Sequence, residues 1–512
     1  MQAKRSFQRV KRFIRGKIQF DHKIIKSEEG RVFIMLRMKP RGGAQAVIQI
    51  TEGVIWRQLL YYFFPILFGT FFQQLYNTAD AVIVGQFVGT GALAAVGGAT
   101  GSLASFCVNL FVGLSTGATV VLAQAYGARD MDGVRAAVHT AAGLVLAAGL
   151  ALTVCGYAAA PWALRAMDTP ADILQPAILY FRIYMLGTIP AFFYNMGSGI
   201  LRAVGDTRRP LYFLIVSCLV NILLDVLLVA VLRLGVAGAA LATVLSQIVS
   251  AVLVFFCLTR TGAAYRLEVR GIRFDGRMLG SILRVGVPAG LQSNMYAISN
   301  ILIQAAVNGF GTATVAAWTA FGKIDGFYWM VLGAFGMSIT TFAGQNFGAQ
   351  KYARIRESVR VCLALGFGSA LLMSVFIALF GEPLLGMFTR DAEVLQIGLD
   401  IAGQLGPWYF AFVCIEIFAG VTRGCGCSLV PSLITCGGVC ALRVAWVLFL
   451  LPLRPQLSTV LVSYPVSWVF TSILFLIYYL QGGWLRRRIQ KMGYAPEPPR
   501  GRRIKQDISG KH

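Results

Sequence analysis

The stretch "QAYGARDMDGVR" (residues 124–135) returns as "QNFGAQKYARIR" (residues 345–356), 221 positions further along the chain. Both copies begin with Gln and end with Arg, and both keep the Gly-Ala pair in between. Further pairs keep this offset, or one within two positions of it: Arg202 and Arg423, Gly205 and Gly426, Pro210 and Pro431, Ser246 and Ser467, Pro65 and Pro288, and Gly89-Thr90 with Gly311-Thr312. The chain therefore contains an internal duplication.

The composition is that of a membrane protein. Of 512 residues, 57% are hydrophobic and 13% are charged, whereas soluble proteins have about 25% charged residues. Crossing a hydrocarbon core about 30 Å thick takes roughly 20 apolar residues. Twelve stretches qualify, and we call them spans 1 to 12: 57–87, 91–124, 133–159, 172–203, 209–232, 235–259, 281–308, 312–346, 355–381, 392–424, 430–453 and 457–483.

The duplication and the spans together predict an all-α polytopic membrane protein. Each repeat contains six spans, and because six is even both repeats enter the membrane from the same side. We therefore expect two six-helix bundles related by a pseudo-two-fold axis along the membrane normal. Transporters are commonly built from parallel repeats of this kind, with the substrate site between the halves.

Positive charges predict the orientation. The loops after even-numbered spans carry sixteen Lys and Arg, and those after odd-numbered spans carry four. Since Lys and Arg concentrate on the cytoplasmic side, the even loops and both termini are expected in the cytoplasm. The predicted organisation is a basic tail, an N-lobe, a cytoplasmic linker, a C-lobe and a second basic tail, at 1–52, 53–262, 263–280, 281–483 and 484–512. The membrane pattern begins only near residue 50, which suggests Met35 or Met38 as the true start.

Several functional classes are disfavoured by the composition. The net charge is +24, but +17 of it lies in residues 1–50 and 484–512, as basic tails beside an apolar body rather than as a nucleic-acid surface. The ten cysteines lie almost entirely in apolar runs, without the spacing of a disulfide framework or zinc site. The sequence contains only three His and no catalytic constellation, which disfavours a membrane enzyme. A channel is disfavoured because the sequence contains no repeated filter segment.

Polar side chains interrupt spans 1, 5 and 6. Span 1 carries Asp80 with Asn77 three residues before it, span 5 places Asn221 and Asp225 four residues apart on one helix face, and span 6 offers Thr243. A charge inside a membrane is costly and usually has a partner or a function. These oxygen-bearing groups suit a dehydrated Na⁺ or a shared proton. The alternative is that the acids only hydrogen-bond to neighbouring helices.

The second half lacks this set, because the counterparts of Asp80 and Asp225 are Ile303 and Trp446. A duplicated ion site would therefore no longer be symmetric.

The acid of span 10, Glu416, has two possible roles. It either forms a structural salt bridge with Arg443 or Lys323, or it takes part in substrate binding or coupling. Aromatic and Met side chains between the halves suit cationic aromatic ligands, although most such residues are packing residues. The candidates for the substrate cavity are Gln73, Asn77, Tyr296, Asp325, Met330 and Glu416.

The order of motifs resembles a known family. The stretches "PILFGTFFQQLYNTADAVIVGQFVG", "AQAYGA", "ILRAVGDTRRP", "NILLD", "GVAGAALATVLSQ", "KIDGF" and "AGQNFGA" together resemble a bacterial multidrug and toxin extrusion (MATE) exporter over about residues 53–483. The resemblance implies an N-lobe and a C-lobe around a V-shaped central cavity. It also implies inward flow of Na⁺ or H⁺ that drives export of organic cations and other amphipathic compounds.

The resemblance also implies a cation site in the N-lobe at Asp80, Asn221, Asp225 and Thr243. One branch of the family has an essential Glu eight residues after the Pro of span 7, where this chain has Tyr296. That departure argues against a cation site in the C-lobe. A lipid-linked precursor flippase of the same superfamily is the nearest alternative, and it would favour a cavity rich in Arg and Lys.

The expected function is therefore that of a secondary active antiporter working by alternating access. We expect a monomer in the plasma (inner) membrane, no nucleic-acid partner, no enzymatic activity and no cofactor beyond the coupling ion. The expected partners are the lipid bilayer and small cationic or amphipathic substrates.

Overall fold

The computed structural model describes residues 21–26, 32–37 and 50–494. The chain forms two units, Met1–Ile48 and Gln49–His512. In the first, strands Asp21–Lys26 and Val32–Arg37 pair antiparallel in a hairpin that the sequence analysis did not predict. Of the predicted basic tails, residues 50–52 and 484–494 are also described, and the second tail begins within the helix Gly483–Lys491. The rest of both tails, and with it Met38 as a possible start, lies outside the described residues.

The described part of the second unit, residues 50–494, is helical and contains all twelve spans in the predicted order. Spans 2, 4, 10 and 11 each contain a break or an irregular turn, and span 5 ends in one. The helices of spans 1 to 6 are Ile55–Phe87; Thr90–Gly97 with Ala99–Gly127; Met131–Ala166; Ala171–Leu186 with Thr188–Ala203; Arg208–Asp225 with the π-helical turn Val226–Val231; and Gly235–Arg260. Those of spans 7 to 12 are Gly276–Asn308; Thr312–Gly348; Tyr352–Gly386; Ala392–Leu405, Gly406–Trp408 and Tyr409–Gly424; Leu429–Thr435, Cys436–Ala441 and Leu442–Phe449; and Leu457–Gln481.

Most of these helices can cross a membrane by length and composition. Within the described part of the chain nine do so, and a tenth is gained when the two helices of span 4, bent by 47°, count as one. Spans 1 and 7 are the exceptions because polar residues interrupt their apolar pattern. They occupy the same place in the two repeats, so the most polar helix of each lobe is its first. The all-α fold of two six-helix bundles is confirmed for this unit.

The segment between the lobes is packed against the N-lobe. Tyr265 and Leu267 are buried in the N-lobe core, and the backbone N–H of Glu268 donates to His139 Nε2 (3.2 Å). Asp275 then caps the next helix by accepting from the N–H groups of Arg277 and Met278 (2.9 Å each). Span 7 therefore begins at Gly276, five residues before the predicted boundary.

The two lobes are joined by a symmetric pair of hydrogen bonds. Gln124 Nε2 donates to the carbonyl of Gly424 (2.7 Å), and Gln345 Nε2 donates to the carbonyl of Ala203 (2.6 Å). Donors and acceptors are each 221 residues apart, so the pseudo-two-fold axis relates one bond to the other. The repeated Gln that opens both copies of the motif is thus a contact between the lobes.

Glycines allow the lobes to approach closely at the same end. A Cβ at Gly127 would overlap the carbonyl oxygen of Gln345, and one at Gly348 would overlap that of Gln124. Near the middle of spans 2 and 7, a Cβ at Gly113 would overlap the backbone of Gly290. Small residues at helix contacts let backbones touch and are the usual way that membrane helices associate. The lobes therefore meet where the even-numbered spans end.

This packing predicts opposite effects for two Gly-to-Ala changes. Gly348→Ala should destabilise the protein by about 1–3 kcal/mol because the new methyl group has no space. Gly368→Ala is the matched control, since its Cβ would meet nothing within 4 Å. This substitution should be neutral or slightly stabilising, because Ala favours helix. Thermal unfolding in detergent measures both, and equal melting temperatures would contradict the close contact.

Candidate functional site

The N-lobe buries the four residues that the sequence singled out. Asp80 is 9% exposed, and Asn221, Asp225 and Thr243 are exposed by 1% or less. Spans 1, 5 and 6 pack against one another, and the carboxyl groups of Asp80 and Asp225 are neighbours. Tyr76, one turn before Asp80, places its hydroxyl near Thr243. We call Asp80, Asn221, Asp225 and Thr243 the N-lobe cluster.

The polar atoms of the N-lobe cluster lack partners. Six buried side-chain atoms form no hydrogen bond: Asp80 Oδ1, Asn221 Oδ1, Asn221 Nδ2, Asp225 Oδ1, Asp225 Oδ2 and Thr243 Oγ1. Most buried polar side-chain atoms in proteins have a partner. Such a concentration of unpaired oxygens is expected where a ligand supplies the missing interaction.

The N-lobe cluster contains two acidic residues and no basic residue. The ion pairs found within residues 50–494 involve neither of its carboxylates. Two carboxylates, one amide and one hydroxyl are suited to a small cation with oxygen ligands or to a shared proton. The described residues contain no group of three His, Cys, Asp or Glu side chains suited to a metal ion.

Local backbone geometry shapes this cluster. Asp225 is the last α-helical residue of span 5, and the π-helical turn Val226–Val231 follows it. Single π turns are frequent at functional sites. On span 6, Gly238 lies close to the carbonyl of Leu228, where a Cβ would be 3.0 Å from the oxygen. Spans 5 and 6 can therefore approach closely beside Thr243.

The C-lobe contains a cavity of about 460 Å³. Its walls come from spans 7, 8, 10, 11 and 12 and contain two acidic residues, Asp325 and Glu416, and one basic residue, Arg443. Seven aromatic side chains complete the walls: Tyr296, Trp318, Phe321, Trp329, Phe412, Tyr464 and Trp468. Drug-sized ligands bind in apolar cavities of this size that hold a few polar groups.

Two aromatic residues hold the carboxylate of Asp325 in place. Trp329 Nε1 donates to one oxygen and the Tyr409 hydroxyl donates to the other (2.6 Å each). Tyr409 stacks on Tyr328 with ring centroids 3.9 Å apart, and Tyr328 donates to the Tyr409 carbonyl. Asp325 is thus a fixed acidic group on the wall of the cavity.

Of the two roles that the sequence left open for Glu416, the structural salt bridge is absent from the described residues. Glu416 forms no ion pair with Arg443 or Lys323 in the described chain. Its side chain packs on Gly336, where a Cβ would overlap the carboxylate, and Lys323 is exposed. Glu416 and Arg443 contribute to the same cavity without pairing across it.

The other substrate candidates divide into two groups. Tyr296, Asp325 and Glu416 line the C-lobe cavity. Gln73 and Asn77 are exposed on span 1, and Met330 is half-buried next to Trp329 without lining the cavity. Sequence reasoning missed Tyr464 and Trp468, although the 221-residue offset relates Tyr464 to Thr243 and would have indicated it.

Comparisons with known proteins agree on one family. The MatE family model matches residues 65–227 and 288–447. The probable multidrug resistance protein YoeA of Bacillus subtilis (strain 168) is 28% identical over 449 residues, which cover 86% of this chain and 96% of that protein.

A second relative and a solved structure extend the comparison. The FAD transporter of Shewanella oneidensis (strain MR-1) is 25% identical over 70% of this chain and 78% of its own length. A solved multidrug resistance MATE family transporter in an outward-facing conformation superposes with a TM-score of 0.80 at 24% identity, covering 86% of this chain and 99% of the other.

The unpaired atoms predict that the N-lobe cluster costs stability. Asn221→Leu should raise the melting temperature, because it replaces a fully buried amide without partners by an apolar group of similar size. Asn346→Leu is the matched control, since this equally buried amide donates to the carbonyls of Phe342 (2.8 Å) and Ile50 (3.3 Å). It should lower the melting temperature. A loss of stability in both variants would mean that Asn221 is a structural residue.

Proposed function

The chain belongs to the MATE family of multidrug efflux transporters, and we propose that it is an antiporter driven by a cation held in the N-lobe cluster. It is a multi-pass membrane transporter and not an enzyme, and MATE transporters need no cofactor. The exported compounds are organic cations and other amphipathic molecules, and the driving ion is Na⁺ or H⁺. The observation that carries this proposal is the set of six unpaired buried atoms on Asp80, Asn221, Asp225 and Thr243.

The orientation follows from the positive charges. With the even loops and both termini in the cytoplasm, the glutamine and glycine contacts between the lobes lie at the cytoplasmic end. Outer-half side chains such as Gln73 and Asn77 on span 1, and Ile298 and Ile301 on span 7, are exposed. We infer from this arrangement a conformation that is closed to the cytoplasm and open to the outside.

Coupling needs an ion that prefers one conformation. A ligand shifts a conformational equilibrium only by its difference in affinity for the two states. In the conformation described here the carboxyl groups of Asp80 and Asp225 are buried next to each other, so a cation or proton between them relieves their repulsion. The bound cation thereby stabilises the state that releases the drug outside.

The polarity of the C-lobe cavity favours export over lipid-precursor flipping. A flippase for a pyrophosphate-linked lipid would need several basic groups, whereas this cavity contains two acids and one Arg. A family relative named as a FAD transporter handles an anionic compound, so we do not restrict the substrates of this chain to cations.

Removing either carboxylate of the N-lobe cluster should abolish ion-driven export. Asp80→Asn and Asp225→Asn should each reduce efflux of a cationic dye from a pump-deficient bacterial host by at least about tenfold, since a neutral amide cannot hold the coupling cation. Asp400→Asn is the matched control, because Asp400 is an exposed acid on span 10 that accepts only from Gln396.

The same variants in proteoliposomes identify the coupling ion. Wild-type and Asp400→Asn protein should transport the dye under an imposed Na⁺ gradient or an imposed pH gradient. The gradient that drives transport identifies the coupling ion. Export by both N-lobe variants at the wild-type rate would refute the proposed site.

A further inference from the structure

Arg443 is a buried guanidinium that no carboxylate neutralises. Its side chain on span 11 is 3% exposed and lines the C-lobe cavity. One terminal nitrogen donates to Ser467 Oγ (3.3 Å), and Nε has no partner. The ion pairs of the described chain do not include Arg443.

A charge in this position needs a compensating group. Arg side chains remain charged even when buried, and an uncompensated charge within a membrane protein is strongly unfavourable. Part of the compensation comes from Tyr464, whose ring centroid lies 3.9 Å from the guanidinium carbon. The unpaired Nε shows that the hydrogen-bonding capacity of the guanidinium is not filled by the protein.

The acids of the cavity form no ion pair with Arg443 within the described residues. Both oxygens of Asp325 accept hydrogen bonds from aromatic residues, and Glu416 packs against Gly336. The cavity therefore presents one basic group and two acidic groups at separate places on one aromatic wall. A molecule that carries both signs of charge complements such a wall.

The internal repeat shows how this cavity arose. The 221-residue offset places Arg443 at the position of Ile222, Trp446 at that of Asp225, and Tyr464 at that of Thr243. The spans concerned, 5 and 11, both contain a π-helical turn close to the charged residue. The N-lobe copy became a compact acidic cluster, while the C-lobe copy became a larger aromatic cavity with a cation in its wall.

We propose that the C-lobe cavity binds aromatic zwitterions, with Arg443 holding the carboxylate of the substrate. Asp325 and Glu416 receive the cationic part, and the aromatic side chains stack on its flat rings. Arg suits this role because its planar donors match a carboxylate with two parallel hydrogen bonds. This inference rests on the proposed function, since it specifies the substrate class of the same exporter.

A pair of dyes that differ by one group tests the assignment. Tetramethylrhodamine carries a free carboxylate and a delocalised cation, and in its methyl ester the carboxylate is masked. Fluorescence anisotropy measures binding of each dye to the purified full-length protein, and proteoliposomes measure transport. We expect the wild type to bind the free acid more tightly than the ester.

Arg443→Gln should weaken binding of the free acid by about tenfold or more, as expected for the loss of a hydrogen-bonded charge partner. Binding of the ester should change less than about threefold, which also shows that the variant is folded. Arg443→Lys keeps the charge but not the planar donors, so its affinity for the free acid should be intermediate. Arg182→Gln is the matched control, because Arg182 lies over the ring of Tyr157 outside the cavity.

Asp325→Asn should produce the opposite pattern, because it should weaken binding of the ester at least as much as binding of the free acid. This variant keeps the proposal testable if Arg443→Gln does not fold.

The outcomes separate this inference from the proposed function. If the wild type prefers the ester, or if Arg443→Gln weakens both dyes equally, Arg443 is structural and the inference is wrong. If the free acid binds in an Arg443-dependent way but neither dye is transported, the anion site stands and the proposed export fails.

Discussion

A charged group inside a membrane needs a partner, and the sites of this protein are arranged around that requirement. The N-lobe holds two carboxylates without a basic partner, and the C-lobe holds a guanidinium without an acidic one. Each uncompensated charge costs folding free energy of the order of several kcal/mol. Nearby residues could have supplied counter-charges, as Asp206 does for Arg209 three residues later, outside these sites. Leaving the charges unpaired makes sense if transported molecules and ions provide the partners.

The scaffold around these charges is symmetric, whereas its pockets are not. Gln124 and Gln345 make equivalent bonds across the pseudo-two-fold axis, and Gly127 and Gly348 make equivalent close contacts. Such contacts depend on backbone proximity, so substitutions at these positions are constrained in both copies. The pockets are lined by side chains, and these can change in one copy without disturbing the other. Duplication thus preserved the packing between the lobes and allowed the two pockets to diverge.

Sequence patterns were sufficient to predict the spans, their order and the repeat, and to single out the residues of the N-lobe cluster. Hydrophobic length fixes a span, and a buried acid such as Asp80 is conspicuous within one. Side-chain direction was less predictable, because successive side chains of a helix point about 100° apart around its axis. Trp329 therefore lines the cavity while Met330 does not. The π-helical turn of span 11 comes just before Arg443 and adds a rotation that no periodic pattern reveals. The pairing of Glu416 with Arg443, one of the two alternatives left open by the sequence, is absent from the described residues.

Separate pockets impose a condition on coupling. If the driving cation and the substrate occupied one site, they could exchange by direct competition. Here the N-lobe cluster and the C-lobe cavity lie in different bundles, so we infer that any influence of one on the other passes through the contact between the lobes. Spans 1, 2, 7 and 8 form most of that contact, including the stacked rings of Phe63 and Phe335 (4.2 Å apart). Span 1 carries Asp80 of the N-lobe cluster, and span 7 carries Tyr296 of the C-lobe cavity. Both spans also take part in the contact between the lobes. Rotation or bending of these first helices is therefore the motion that can change both pockets together.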